Sequence, residues 1–224
     1  MRTVPSKADY LERWSGLHGG YDPSSSRLVG PWLSLVYACA RPLASLRVPP
    51  VAVTLLGLVV AGGAALAGRA AGPWLFLAVL LVLFSSLLDG LDGAIAVLTA
   101  RTTAFGYVLD SVVDRCSDLL YLVALWWVGA PPAVCVWAGV LMLLHEYVRA
   151  RAVGAGMTEV GVVTVWERPT RVIVTAAFLL GAALYRSYST GASAAWATDA
   201  GWAWVALGVV GLVQLTVVVR RRLR

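Results

Sequence analysis

Residues 87–118 read LLDGLDGAIAVLTARTTAFGYVLDSVVDRCSD, with five aspartates set among mostly apolar neighbours. Asp89 and Asp92 are three apart, and Asp110, Asp114 and Asp118 are spaced by four. On a helix both spacings put side chains on one face. The polar run at 99–103 reads as a turn, so the stretch predicts a hairpin of two helices. Asp92 and Asp110 each lie nine residues from Arg101, and Asp89 and Asp114 lie twelve and thirteen away. A hairpin folded there brings four carboxylates together in two level pairs, roughly 10–20 Å from the turn at about 1.5 Å per residue.

The rest of the chain decides the medium. Of its 224 residues, 59% are hydrophobic and 13% charged, whereas a soluble domain is about half apolar and a quarter charged. A bilayer-crossing helix needs roughly 20 predominantly apolar residues. Six runs approach that length: about 51–68, 74–98, 104–128, 131–148, 170–186 and 201–219. The second, third and fourth qualify only with polar residues inside the spans. Six such segments leave too little polar sequence to cover them in water. The expected fold class is therefore an all-α integral membrane protein with six transmembrane helices.

Residues 1–26 read as a loosely structured cytoplasmic arm, and 28–46 as apolar pieces interrupted by Pro31 and Pro42. Those pieces are too short to span, which predicts an N-terminal interfacial amphipathic helix, with Trp32 and Tyr37 suited to that depth. The expected division is 1–47 for the arm and interfacial helix and 48–224 for the membrane domain, with loops at 152–167 and 187–200. Gly57, Ala61, Ala65, Gly208 and Gly211 permit close helix packing, within one chain or between two. A homodimer is the expected assembly.

Basic residues near span ends set orientation. Arg2, Lys7, Arg13, Arg27, Arg41 and Arg47 precede the first span, and Arg101 follows the second. Arg149, Arg151, Arg168 and Arg171 border the fourth and fifth, and Arg220, Arg221, Arg222 and Arg224 follow the last. The other side has Arg69 and Arg186. Both termini and the acid cluster are therefore expected to face the cytoplasm, in a multi-pass protein of the cell membrane. The net charge of +6 then favours anionic lipid headgroups, by about 1 kcal/mol per residue near the surface. These arginines are scattered and form no aromatic-studded patch, which argues against nucleic acid. Cys39, Cys116 and Cys135 are an odd number without metal-ligand spacing and read as reduced thiols. The first 26 residues show no secretory signal.

A charge near the bilayer centre costs about 2.5–3.5 kcal/mol on insertion scales, and clustered carboxylates also repel. Protonation, arginine partners or metal ions would neutralise them. Arg101 and Arg115 are too few to balance the set. Hard divalent cations take oxygen ligands, and Mg²⁺ is commonly held by a few carboxylates plus substrate phosphate. A two-ion site for Mg²⁺ or Mn²⁺ is the economical reading. Helix-packing acids, a cation pathway and an intramembrane prenyltransferase are its rivals. Gly93 beside Asp92, and Gly106 four residues before Asp110, leave room for a phosphate-bearing ligand.

At these residues the chain resembles the CDP-alcohol phosphatidyltransferase family, whose signature is D-x2-D-G-x2-A-R-x8-G-x3-D-x3-D. Asp89, Asp92, Gly93, Ala96, Gly106, Asp110 and Asp114 fall in register, seven of eight fixed positions. The departure is Val97, where the signature has Arg. The resemblance implies transfer of a phosphatidyl group from CDP-diacylglycerol to an alcohol, with release of CMP. It implies metal binding by Asp89, Asp92 and Asp110, with Asp114 as catalytic base beside or among the ligands. It also implies a CDP-lipid site of Thr54, Asp89, Gly93, Ala96 and Gly106. Arg101, one turn beyond Val97, is expected to replace the missing cation. Local strings LDSVVDRCSD, YVRARA and ERPTR resemble bacterial phosphatidylinositol phosphate synthases. That likeness implies a phosphorylated polyol such as inositol phosphate, held by Arg149, Arg151, Arg168 and Arg171. Glycerol 3-phosphate, serine and phosphatidylglycerol are the other acceptors. His145 begins an HExx string without the second His and reads as a packing residue. Glu167 is expected to orient Arg171 or Arg168, or to cap a helix before Pro169.

Overall fold

A computed structural model of the chain describes residues 4–17, 20–26, 29–157, 163–187, 189 and 191–223. Arg2, Arg27 and Arg224 of the basic series, and part of the 152–167 and 187–200 loops, lie outside those residues. Regular structure among the described residues is helical. It runs α1 (Lys7–Leu17), a 3₁₀ turn (Pro23–Ser25), α2 (Val29–Ser45), α3 (Pro50–Ala70), α4 (Trp74–Thr99), α5 (Ala104–Val128), α6 (Pro132–Gly154), α7 (Arg168–Tyr185) and α8 (Ala192–Arg222).

The expected hairpin is present as α4 and α5. α4 stops where Ala100 turns to φ 54°. The Arg101 N–H then donates to the Ala96 carbonyl at 2.9 Å and the Ala100 N–H to the Val97 carbonyl at 3.4 Å. Those two bonds make a Schellman ending, which usually takes Gly at the left-handed position. Thr103 opens α5 by accepting the Gly106 N–H at 3.0 Å.

By length and composition α3, α4, α6 and α8 suffice to cross a membrane, as expected of a membrane protein. α5 carries Asp110, Asp114, Arg115 and Asp118, and α7 opens on Arg168 and Arg171. Those charges keep both below the apolar composition of the other four. α8 begins at Ala192, not near 201, and its 31 residues span about 46 Å at 1.5 Å each.

The N-terminal arm is more ordered than its polar composition suggested. Ser6 and Asp9 cap α1 reciprocally, with the Ser6 N–H to Asp9 Oδ2 at 3.0 Å and the Asp9 N–H to Ser6 Oγ at 3.2 Å. Tyr10 is buried and its ring lies 5.6 Å from that of Tyr37. The Tyr37 hydroxyl donates to the Pro5 carbonyl at 3.0 Å. α2 runs unbroken through both prolines. Pro31 falls in its first turn, where no N–H is needed, and Pro42 in its last.

The chain forms two compact units, Met1–Val59 with Phe84–Asp114, and Val60–Leu83 with Arg115–Arg224. In the second, α8 packs against α6 and α7. Trp166 and Trp204 meet edge to face at 5.0 Å, and Trp204 Nε1 donates to Thr175 Oγ1 at 3.1 Å. Gly208 lies against Leu141 and Gly211 against Trp166. Ala61 and Ala65 are likewise buried. Packing within one chain therefore accounts for these small residues.

Candidate active site

The first unit holds the acids. α4 and α5 place Asp89, Asp110 and Asp114 so that one carboxylate oxygen from each lies within 4.8 Å of the others. Three negatively charged, half-buried oxygen donors at that separation suit a hard divalent cation. Asp92 is placed differently. It is 4% exposed, its Oδ2 accepts the Thr54 hydroxyl at 2.5 Å, and its Oδ1 accepts the Gly93 N–H at 2.6 Å. The charges of Asp110 and Asp89 act on it. Thr54 thus reaches the site through Asp92, held from α3.

Gly93 and Gly106 differ in what they do. A methyl added at Gly93 meets no heavy atom within 4 Å, so that face of α4 is open. One added at Gly106 meets Thr103 Oγ1 at 3.0 Å, so the cap hydroxyl fills that space. Ala96 and Val97 are half-buried. Arg101 is exposed and lies past the end of α4. Because Ala100 leaves the helix, Arg101 does not continue the face of Val97 as an i+4 neighbour would. A cation that does reach the Val97 backbone is Arg13 of α1, whose Nη1 donates to the Val97 carbonyl at 3.4 Å.

The second unit holds a mixed-charge network. Arg171, 2% exposed, donates to Asp118 Oδ2 and to Glu146 Oε1, each at 2.5 Å. Arg115 donates to the second oxygen of Glu146. Asp118, the fifth aspartate of the opening stretch, is therefore a counter-ion. Arg149 pairs with Glu167 Oε1 at 2.6 Å, and the same oxygen accepts the Thr164 N–H at 2.8 Å and hydroxyl at 3.0 Å. Glu167 makes no side-chain cap on α7; it holds Arg149, while Arg171 is held by Asp118 and Glu146. His145 is buried with Nε2 3.1 Å from Thr164 Oγ1, the packing role expected of it. Arg168 is half-buried within electrostatic reach of Asp118, and Arg151 is exposed in the last turn of α6. Of the four arginines expected at an acceptor site, Arg171 and Arg149 are thus engaged by carboxylates of their own chain. The partners Glu146 and Thr164 carried one sequence signal, polarity inside or beside an apolar run.

A carboxylate cluster on a helical hairpin, in a chain whose regular structure is helical among the described residues, suits a metal-dependent membrane enzyme. The family model for CDP-alcohol phosphatidyltransferase matches residues 46–217, and the chain belongs to that family. Membership sets aside the prenyltransferase and cation-pathway readings.

The phosphatidylinositol phosphate synthase of Corynebacterium glutamicum is 32% identical over 189 residues, 80% of this chain and 81% of that protein. The archaetidylinositol phosphate synthase of Aeropyrum pernix is 36% identical over 117 residues, 50% of this chain and 60% of that one. Two crystal structures of the Mycobacterium tuberculosis phosphatidylinositol phosphate synthase share the fold. One, with manganese and citrate, has a TM-score of 0.68 and 27% identity over 82% of this chain and 88% of that one. The other, with CDP-DAG bound, has a TM-score of 0.62 and 28% identity over 81% and 94%.

Proposed function

We propose that this chain transfers a phosphatidyl group from CDP-diacylglycerol to the hydroxyl of a phosphorylated polyol, inositol phosphate foremost, releasing CMP. Family membership and the shared specificity of the relatives support the reaction. The observation that carries it is the convergence of Asp89, Asp110 and Asp114 within 4.8 Å.

Asp89, Asp110 and Asp114 would hold Mg²⁺ or Mn²⁺, with Asp92 completing a two-ion set. When bound, the metal polarises the diphosphate and offsets charge developing on it. Asp114 takes the proton of the acceptor hydroxyl as its oxygen bonds the lipid-side phosphorus. The bond from that phosphorus to the CMP oxygen breaks, and CMP leaves. Thr54 orients Asp92 through its hydroxyl. Gly93 and Ala96 keep the face of α4 small beside the nucleotide, Gly106 lies under the Thr103 hydroxyl at the start of α5, and Arg101, past the end of α4, adds positive charge at the hairpin turn. Arg149, Arg151, Arg168 and Arg171 are the proposed acceptor-phosphate residues, since guanidinium groups bind phosphate in bidentate fashion. Arg151 is exposed in the last turn of α6.

The proposed topology has six spans, α3 to α8, with Asp118 of α5 and Arg171 of α7 bonded to each other, so that those charges face protein rather than lipid. α2 lies at the interface. Both termini and the acids face the cytoplasm of the cell membrane, and the working unit is a homodimer.

The test is CMP release from CDP-diacylglycerol in vesicles with Mg²⁺ or Mn²⁺. Inositol phosphate, glycerol 3-phosphate, serine and phosphatidylglycerol are supplied separately. Metal-dependent release with inositol phosphate, reduced about 10³-fold in Asp114→Asn, is the expected result. Release with another acceptor alone would overturn the substrate assignment, and none with any acceptor would overturn the reaction.

A further inference from the structure

We propose that Arg13, on the N-terminal helix α1, supplies to the CDP-lipid diphosphate the guanidinium that Val97 lacks. The inference rests on the reading above. It begins from a conflict within the first unit. The site gathers carboxylates and is to receive a diphosphate, so a cation is needed near the end of α4. Position 97 is apolar, and the helix ends before Arg101, with Ala100 at φ 54°, so Arg101 does not stand one helical turn on from Val97. Arg13 arrives at that residue from elsewhere in the sequence, with Nη1 3.4 Å from the Val97 carbonyl.

The placement of Arg13 is built in. Tyr10 precedes it by three residues, so the two share a face of α1. Tyr10 is 1% exposed and stacks on Tyr37, whose hydroxyl holds the Pro5 carbonyl at 3.0 Å. The Ser6–Asp9 cap fixes the start of the same helix, and Asp9, one turn before Arg13 and within its electrostatic reach, keeps its hydrogen bonds with Ser6. On α1 those contacts all precede Arg13; on its other side Trp14 meets Tyr21 edge to face at 6.3 Å, so α1 is held before and after the residue and delivers it to a defined point. A guanidinium has five N–H donors, and a single long bond to a carbonyl leaves most of them for an anion. Gly93, four residues before Val97, presents the open face of α4 on which a ligand would lie.

A simpler role would be to cap the negative end of α4, where a cation is favourable. The two roles separate on rescue. A cap acts through the Val97 carbonyl, which any residue at 97 retains; a diphosphate ligand can be replaced by a side chain placed at 97.

The experiment measures CDP-diacylglycerol affinity of the detergent-purified full chain by calorimetry, and KM and kcat for CMP release. The proteins are wild type, Arg13→Ala, Arg13→Lys, Arg101→Ala, Val97→Arg and Arg13→Ala with Val97→Arg. We expect Arg13→Ala to weaken affinity and raise KM about tenfold or more, with Arg13→Lys intermediate. The double variant should return to within about threefold of wild type. The idea fails if Arg13→Ala binds normally, if Val97→Arg does not rescue it, or if Arg101→Ala alone carries the loss. Arg13-dependent binding without turnover would support it while overturning the transfer reaction. A wild-type protein that does not bind the CDP-lipid would overturn both.

Discussion

The two units treat their acids in opposite ways. In the first, Asp89, Asp110 and Asp114 come together as like charges. In the second, Asp118 and Glu146 are each bonded by Arg171, and Glu146 also by Arg115. Opposite charges in contact are neutral without help, and a folded chain keeps them as a tie between helices. Like charges gathered within 4.8 Å of one another repel, and a bound cation offsets that repulsion. The same residue types therefore report a ligand site in one unit and a fastening in the other.

The largest effects should fall in opposite columns. Asp110→Asn should lower CMP release by about 10³-fold, judged by the usual scale for groups acting on the reacting atoms. It should also weaken Mn²⁺ binding, read by electron paramagnetic resonance, and leave thermal stability equal or higher, since repulsion is relieved. A fall in stability without loss of metal binding would erase the contrast between the units.

Arg171→Ala should do the reverse. It leaves Asp118, 0% exposed, and Glu146 without a shared partner, a change that costs about 3–5 kcal/mol in buried pairs. Unfolding in detergent should show that loss, with part of it recovered when Asp118→Asn is added. Unchanged stability, with a raised KM for inositol phosphate, would leave Arg171 its proposed acceptor role and remove the fastening.

The acid cluster was legible because helical periodicity and one turn are enough to bring its members level. Asp89, Asp110 and Asp114 needed nothing more, and Thr54 entered through family likeness alone. Arg171 was visible as a cation, but its engagement was not. Whether an arginine meets a phosphate or Asp118 depends on which helices neighbour which, and one-dimensional spacing does not encode that. Arg13 escaped for the same reason, being 84 residues from its contact at Val97. The cap on α1 was a missed local signal, since S-x-x-D at 6–9 is its sequence form. The four apolar spans could be read from composition, whereas α5 and α7 could not be judged without knowing where their charges point.

A smaller effect tests Thr54. Thr54→Val removes the hydroxyl that Asp92 Oδ2 accepts at 2.5 Å while keeping the side-chain volume. Leaving a buried carboxylate short of one donor costs about 1–3 kcal/mol, so unfolding should shift by that amount and metal affinity should fall less than in Asp110→Asn. An effect on metal equal to that of Asp110→Asn would bring Asp92 fully into the ligand set.

The finest discrimination comes from two glycines. Both sit inside long helices, where Gly is about 1 kcal/mol less favourable than Ala, so each needs a reason to remain. Gly211 has a packing reason: a methyl there would collide with Trp166, and Gly211→Ala should destabilise by about 1–3 kcal/mol as overpacking does. Gly93 has none, since a methyl meets nothing within 4 Å. Gly93→Ala should therefore stabilise the protein by about 1 kcal/mol and raise the KM for CDP-diacylglycerol, because the free space belongs to the ligand. Melting curves and CMP release on the same two samples decide it. A Gly93→Ala protein that is more stable and turns over normally would remove the ligand from that face of α4, while one that is less stable would give Gly93 the same structural role as Gly211.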